Sequence, residues 1–469
     1  MAEETKNNDE LNQSPEEAVE EVLRDYHGEV LALINEGRKD DAVRLLETLH
    51  HSDISRALEG MKDEMIIDLF RALPTERASD VLLEFDDRIK GLLLDDMTHP
   101  EIVEFIDEME TDDAADVISQ LDDKDAESVL KSIDKEEAVE VQKLLEFPDD
   151  SAGGKMQTEL VSVHHEATIE DAIEAVREKS EDIEHISNVF IVDDHNKLLG
   201  VIPLSRLILE KPSTNVYDAA DEPPVKVTTH TDQEKVAQMF QRYDLLSVPV
   251  VDKEDKLVGR ITIDDMVDVI EEEIFEDFYR MASLNKDERS LDSVGRSLKS
   301  RLPWLLLNLI TVFASVTVIK VFASTIETMV ILAVLMPIVA ALGGNAAIQT
   351  LTVVIRGFAL GELEMKHAKR LLVKEVTLGF LNGMAVGLVA GGVAFVFNVT
   401  PMVGVLLFLA MTANLIIAGF AGVVIPIMLK KIGSDPAISA SVVVTTFTDV
   451  GGFFTFLGLA YLFIQKGLL

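Results

Sequence analysis

Short apolar clusters recur roughly every 12 residues between about Pro15 and Phe147: IIDLFRAL, DVLLEF, IVEFI, DVISQL and SVLKSI. Polar turns such as Pro74-Thr75-Glu76 and Glu110-Thr111-Asp112 separate them. So short a period predicts a right- or left-wound stack of short helices rather than one long coil. Such stacks usually present a surface to a partner. The pattern changes at Phe147-Pro148-Asp149-Asp150-Ser151-Ala152-Gly153-Gly154, where β-rich runs begin to alternate with helical ones. LVSVH, TIEDAIEAVREKS, NVFIVDD and KLLGVIPLSRLIL form one series, with a turn at His195-Asn196. VKVTT, DQEKVAQMFQRYD and LSVPVVDKEDKLVGRITIDDMVDVI repeat it about sixty residues later. Two β-α-β-β-α copies predict a pseudo-symmetric pair sharing one core.

A charged helical connector follows from Glu271 to Arg301. Five apolar runs come next, at about 303–324, 328–353, 374–397, 402–429 and 437–464. Each holds enough apolar residues to cross ~30 Å of hydrocarbon. Arg356, Lys366, Lys369, Arg370 and Lys374 crowd one connection, and Lys430 and Lys431 another. The opposite connections carry mainly Glu327 and the short link from Asn398 to Thr400. The positive-inside rule places the basic loops and everything before the spans in the cytoplasm, with the C-terminus outside. The expected protein is multi-pass in the cell (inner) membrane. It has a disordered tail over 1–17 and an all-α superhelical acidic domain over 18–150. Two α/β units cover 151–212 and 213–275, a connecting helix 276–300, and an all-α five-helix transmembrane domain 301–469.

Charge sharpens this division. Residues 301–469 carry 10 Lys and Arg against 6 Asp and Glu, a net of +4. The whole chain carries 42 basic and 83 acidic residues, so residues 1–300 keep 32 and 77, a net of -45. A head this acidic repels phosphate backbones and excludes nucleic acid as a partner. It favours divalent cations, which relieve the repulsion between clustered carboxylates. The plainer reading is a solvated, soluble surface. There is no cysteine, so disulfides and thiolate metal sites are excluded. The polar, acidic N-terminus reads as neither a signal nor a transit peptide. No phosphate loop, nucleophile elbow or HExxH motif is present, so no enzymatic activity is expected.

Ionisable residues inside a bilayer are costly and mark functional sites. Asp449, in TTFTDVGGFFTF, is the acidic residue expected deep within a span. With a helix starting at Asp435-Pro436, it lies ~20 Å along the axis. Such a carboxylate calls for a mobile cation, a proton or water; the plainer alternative is a protonated Asp at a helix contact. Gly343-Gly344-Asn345-Ala346-Ala347-Ile348-Gln349 is expected to interrupt the second span, with Asn382-Gly383 in the third and Asn414 in the fourth. A path lined by amides and hydroxyls suits a hydrated hard cation such as Mg²⁺. Hydrogen bonding between helices is the other account of these Asn residues.

The order of the helical acidic domain, FPDDSAGGKM, the duplicated units, the connector, GGNAAIQ, IRGFALGEL, KE(x)6LNG and DPAISASVVVTTFTDVGG resembles the MgtE magnesium channel family over nearly the whole chain. The duplicated units then correspond to paired CBS (cystathionine-β-synthase-like) domains. The resemblance implies a homodimer with a central pore, five transmembrane helices per subunit, and a cytoplasmic magnesium sensor that closes it. The family's pore carboxylate falls on Asp449. Ser441, Thr445 and Thr448 are implied to line the path with Asn345 and Asn414. The implied sensor carboxylates are Asp80, Asp112 and Asp116 from the helical domain and Glu234, Asp244 and Asp265 from the second CBS unit. Asp268, Glu271, Glu273, Glu276 and Asp277 follow in the run IDDMVDVIEEEIFED, which leads into the connector. Ala347 stands where the family pattern carries glycine. Pro203 and Arg206 depart from the Ser/Thr and Asp of a nucleotide-binding CBS unit, whereas Thr262 and Asp265 keep them, so nucleotide binding is doubtful. Mg²⁺ is the expected cargo and regulator. The rivals are an ion-coupled divalent metal transporter, disfavoured for want of a second intramembrane carboxylate, and a nucleotide-responsive CBS membrane receptor.

Overall fold

The computed structural model describes residues 25–180, 183, 185–221, 224–285, 288, 293–363, 365–396, 400–433 and 436–469. The tail expected over 1–17 lies outside them. The chain divides into two compact units, Met1–Val267 and Asp268–Leu469.

Helices open the first unit: α1 Tyr26–Asn35, α2 Lys39–Leu46, α3 His51–Leu58, α4 Asp63–Phe70, α5 Thr75–Leu83, α6 Asp87–Asp96, α7 His99–Ile106, α8 Thr111–Ser119, α9 Asp123–Leu130 and α10 Lys135–Leu144. Each is about two turns long, too short to persist alone, so packing must hold them. Helices two apart in sequence pack together, α1 on α3, α3 on α5, α5 on α7 and α7 on α9, with α4 on α6 and α8 on α10. That alternation is the superhelix the repeating clusters predict. Phe70 anchors it, with its ring 5.9 Å from Phe105 and 6.3 Å from Phe85. Part of the acidic excess caps helices. Asp86 Oδ1 accepts from the Ile89 amide at 2.9 Å. Glu101 accepts from the Thr98 amide at 2.6 Å in a capping box.

The FPDDSAGG segment joins this stack to the α/β part. The Ala152 and Gly153 amides donate to the Thr231 and Thr229 carbonyls at 2.7 and 2.8 Å. A Cβ on Gly154 would lie 2.4 Å from the Pro148 carbonyl, so only glycine fits. The two units repeat in detail. Strands β1 Ser162–His164, β2 Asn188–Val192 and β3 Leu198–Pro203 form one sheet, and β4 Val227–Thr228, β5 Ser247–Val251 and β6 Leu257–Thr262 another. In each the first pair is parallel and the second antiparallel, with a register shift at Ile191/Val192 and again at Val250/Val251. Helices α11 Ile169–Lys179, α12 Leu204–Leu209, α13 Val216–Ala219 and α14 Gln233–Tyr243 complete the pair. Phe190, Leu198, Val251 and Leu257 form a core shared by both copies.

Helix α15, Ile263–Met281, runs on from β6. The single connecting helix expected over 276–300 is therefore corrected. Ser283 takes a left-handed φ of 58°, and a new helix, α16 Val294–Val321, starts with Ser293 as its cap. The charged end of the expected connector is thus the base of the first apolar helix. After α17, Ala323–Thr328, come α18 Ile331–Ala359, α19 Ala368–Val396, α20 Pro401–Lys431 and α21 Pro436–Gln465. Among the described residues five helices are long and apolar enough to cross a membrane, as the sequence predicts. The expected interruption at GGNAAIQ does not occur: α18 runs through it. Gly343 serves packing instead, since a Cβ on it would lie 2.2 Å from Asn414 Nδ2, whereas one on Gly344 would meet nothing within 4 Å.

The tightest packing joins α19 to α20. Gly379, Gly383, Gly387 and Gly391 recur every fourth residue, on one face of the helix. A Cβ on these would meet the Leu415 carbonyl at 2.3 Å, Thr412 Cα at 2.7 Å, and the Phe408 and Gly404 carbonyls at 2.8 and 2.7 Å. Backbone therefore lies on backbone, the contact that small residues permit in hydrocarbon. Gly383→Val should lower stability by about 1–3 kcal/mol through overpacking. Gly392→Val, where a Cβ meets nothing within 4 Å, should leave it nearly unchanged. Thermal unfolding of the detergent-solubilised protein distinguishes the two.

Candidate cation sites

An acidic pocket forms in the first unit where α8 faces residues 155–159 and the start of α15. Thr111, at the helix start, donates from its amide and hydroxyl to Glu159 at 3.2 and 2.8 Å. Gln157 Nε2 donates to Glu110 at 2.8 Å, and Arg260, 2% exposed, has Nη2 3.8 Å from the same carboxylate. Lys155 Nζ stands 4.0 Å from Asp116. Within this frame Asp112 is 8% exposed, and its Oδ1 has no hydrogen-bond partner among the described residues. Asp265 Oδ2 accepts from Thr262 Oγ1 at 2.5 Å.

Burial, then repulsion from Asp113 and Asp265, pushes the Asp112 carboxyl well above the ordinary carboxylate range. Burial and the nearby Asp265 and Glu110 push Asp113 up to about 7. Burial also raises Asp265 to about 6 against the opposing Thr262 hydroxyl. A carboxylate left buried without a counter-charge is costly. Arg260 supplies part of that charge to Glu110, Glu159 and Asp112, and Lys155 to Asp265, and the remaining carboxyls favour protons.

Of the expected sensor residues the structure brings Asp112 and Asp265 together, while Asp116 is exposed one turn further along α8, facing Lys155. The structure adds Asp113, Glu110 and Glu159, which the expected sensor set leaves out. Three consecutive positions opening α8 carry Thr111, Asp112 and Asp113, and a helix N-terminus favours negative charge; that signal was available. Asp80 lies exposed on α5. Glu234 accepts from Gln238 at 3.2 Å along α14. Asp244, in a left-handed conformation, lines a different cavity of about 810 Å³ with Ser187, Asn188, Pro203, Thr262 and Asp264. Arg206 is committed elsewhere, donating to the Ala219 carbonyl and Asp221 at 2.9 and 2.8 Å. In the second unit Asp268, Glu271, Glu273, Glu276 and Asp277 all lie on α15, with Glu276 buried and paired to Arg280.

In the membrane unit Ser441, Thr445 and Asp449 follow one another at four-residue steps on α21, and all three are half-buried. Thr445 Oγ1 donates to the Ser441 carbonyl at 2.8 Å, which leaves the hydroxyl oxygen free to accept from water. Ser441 Oγ lies 3.2 Å from Ser283 Oγ, beyond the end of α15. Thr448 is fully buried and donates to the Thr445 carbonyl at 2.9 Å, off this face. Asn414 is also fully buried. It donates to the Val339 carbonyl at 2.8 Å between Gly343 and Gly452, a helix contact rather than a path lining. Asn345 is exposed on α18. Asp435, expected to cap α21, lies outside the described residues. Asp449 has company: helix α19 begins at Ala368, which carries Glu375 inside the helix, 4% exposed. Among the described residues a candidate span thus carries a second buried carboxylate, which the sequence reading leaves out.

Three comparisons bear on these sites. A family described as a divalent cation transporter, MgtE, matches residues 336–459. The MgtE intracellular N domain matches 49–150, and CBS domains match 152–212 and 216–272. The magnesium transporter MgtE of Thermus thermophilus is 32% identical over 330 residues, 69% of this chain and 72% of that one. The chain belongs to the MgtE family. The MgtE magnesium transporters of Enterococcus faecalis and Bacillus subtilis are similar to the same degree, each 32% identical over 69% of this chain and 71% and 72% of theirs. A crystal structure of the cytosolic domain of the Mg²⁺ channel MgtE in complex with ATP is 30% identical, with a TM-score of 0.49, and covers 52% of this chain and 99% of its own. The family motifs thus fall on the elements described above: the N domain spans most of the helical stack, and the transporter region contains both membrane carboxylates.

The raised carboxyls have a testable consequence. A carboxyl that holds its proton more tightly when folded adds stability that is complete below the ordinary carboxylate range, and that stability is lost as pH rises through the raised value. In the metal-free protein, amides of residues 111–119 should be more protected at pH 5.5 than at pH 7.5. After correction for intrinsic rates, the difference should be roughly tenfold, the equivalent of one pKa unit. Millimolar Mg²⁺ at pH 7.5 should restore the protection in hydrogen-exchange mass spectrometry.

Proposed function

We propose that this MgtE protein is a homodimeric magnesium channel that takes up Mg²⁺ across the cell membrane and is closed by cytosolic Mg²⁺. The observation carrying the transport reading is the row Ser441, Thr445 and Asp449, a half-buried carboxylate with hydroxyl oxygens on one helix face. Mg²⁺ holds its waters tightly, so Asp449 would accept hydrogen bonds from those waters while the hydroxyls accept from others. The basic connections support a chain with its N domain in the cytoplasm and its C-terminus outside.

Closure would be a population shift toward the state that binds the ligand. Without Mg²⁺ the carboxylates of Asp112, Asp113 and Asp265 repel one another. Mg²⁺ bound among them removes that penalty. Asp265 sits in the first turn of α15, and Ser283, just past that helix, touches the pore-lining Ser441. The same stretch of chain thus carries sensor and contact. Asp268, Glu271, Glu273, Glu276 and Asp277 extend the carboxylates along it. Arg206, at the position where a nucleotide-binding CBS unit carries Asp, is paired to Asp221, which speaks against nucleotide binding by the first CBS unit.

In proteoliposomes Asp449→Ala should lower Mg²⁺ uptake at least roughly a hundredfold, the scale of losing a buried ion contact, with the dimer intact by gel filtration. Uptake at the wild-type rate would remove the pore assignment. The triple variant of Asp112, Asp113 and Asp265 to Asn should conduct at internal Mg²⁺ levels that shut the wild type; unchanged closure would reject the sensor. Uptake that collapses with the proton gradient, at constant Mg²⁺ gradient, would favour the coupled-transporter reading instead.

A further inference from the structure

Glu375 is the second carboxylate among the apolar helices, and nothing above gives it a task. Its backbone is pinned: a Cβ on Gly419 of α20 would lie 2.5 Å from the Glu375 carbonyl oxygen. Thr350 of α18 is pinned in the same way, its Cβ 2.8 Å from a Cβ built on Gly422. Thr350 Oγ1 donates to Glu375 Oε2 at 3.2 Å. The other oxygen, Oε1, lies 3.0 Å from Lys374 Nζ. These groups border a cavity of about 160 Å³ that Gln349 and Asn382 also line. At about 30 Å³ per water, it has room for roughly five waters, or for a cation with part of its hydration shell.

The donor set is one carboxylate, one hydroxyl and two amide oxygens, all hard oxygen ligands. The partner already present is a poor permanent one. The Lys374 side chain is 62% exposed, on a long flexible stem that can carry its ammonium to the aqueous boundary, while Glu375 is 4% exposed and cannot follow. The site also lies at the depth of Asp449. Glu375 meets α20 at Gly419, and Gly451, two residues beyond Asp449, meets it at Ile417, ~3 Å away along the axis. A hydrogen-bonded helix contact alone would need neither the cavity nor the amides facing it.

We propose that Glu375, with Thr350, Gln349 and Asn382, forms a second intramembrane site for a partly hydrated divalent cation, with the Lys374 ammonium as its resident stand-in. The entering cation displaces the ammonium, which swings out to water. This rests on the reading that the membrane helices handle a divalent cation, but it is a separate site from Asp449.

The chain has no cysteine, so Leu378→Cys, on the cavity wall, carries one nitroxide on the full-length protein. Mn²⁺ added in nanodiscs should broaden its paramagnetic resonance spectrum. Glu375→Gln, which keeps the size and the Thr350 contact, should raise the Mn²⁺ midpoint about tenfold or more, and Lys374→Met should lower it by a similar factor. Asp449→Ala should leave it in place. An unshifted midpoint in Glu375→Gln overturns the site, and one in Lys374→Met overturns the displacement, a result that stands even if the Gln variant does not fold. The pore assignment is judged separately: loss of flux in Asp449→Ala with retained broadening supports both readings. Retained flux with retained broadening removes the pore role alone.

Discussion

A carboxylate taken out of water must find a counter-charge, a proton or a shell of donors. That requirement organises both halves of this protein. In the soluble unit most acidic side chains meet it trivially, at the surface or as helix caps. Asp86 and Glu101 hold amide hydrogens at helix starts, and Lys226 holds Asp255 at 2.7 Å. Asp112, Asp113 and Asp265 do not. Burial raises their affinity for protons, and Asp112 keeps an oxygen with no described partner. In the membrane unit, where solvent offers no relief, Glu375 draws on Thr350 and Lys374, and Asp449 shares a helix face with Ser441 and Thr445.

The architecture was legible because it rests on periodicity and on length. Apolar clusters at short intervals can only be buried by stacking, and the structure stacks alternate helices. The duplicated β-α-β-β-α pattern reappears down to the same register shift in each copy. Five long apolar runs became five long helices. Their limits moved where local chemistry outweighs hydropathy. Ser283 with its positive φ and the Ser293 cap divide a connector that composition alone shows as continuous.

The sites were less legible, because they depend on which face a residue takes against a neighbour distant in sequence. Asn414 reads as a polar residue in a span, yet Gly343 and Gly452 leave room for its amide at a helix crossing. Ser441, Thr445 and Asp449 share one face, but Thr448, one residue away, is turned inward. Asp113 escaped because its surroundings come from Asp265, on an element more than a hundred residues away. Glu375 escaped because hydropathy began the third span at residue 374, placing it at the rim. The helix begins six residues earlier, at Ala368.

The glycine ladder from Gly379 to Gly391 limits how this molecule can move. Helices slide past one another by repacking a layer of side chains, each hopping between alternative rotamers. At the four glycines of α19 the nearest atoms of α20 are backbone, the carbonyl oxygens of Leu415, Phe408 and Gly404 and the Thr412 Cα, while Val386 and Ala394 join Leu406 and Leu407 in the apolar cluster beside them. A slip of one residue along α19 would drive Phe380 and Met384 into those carbonyls. The two helices are therefore welded into a single stave, and any change in the calibre of a passage through these helices falls to the other elements.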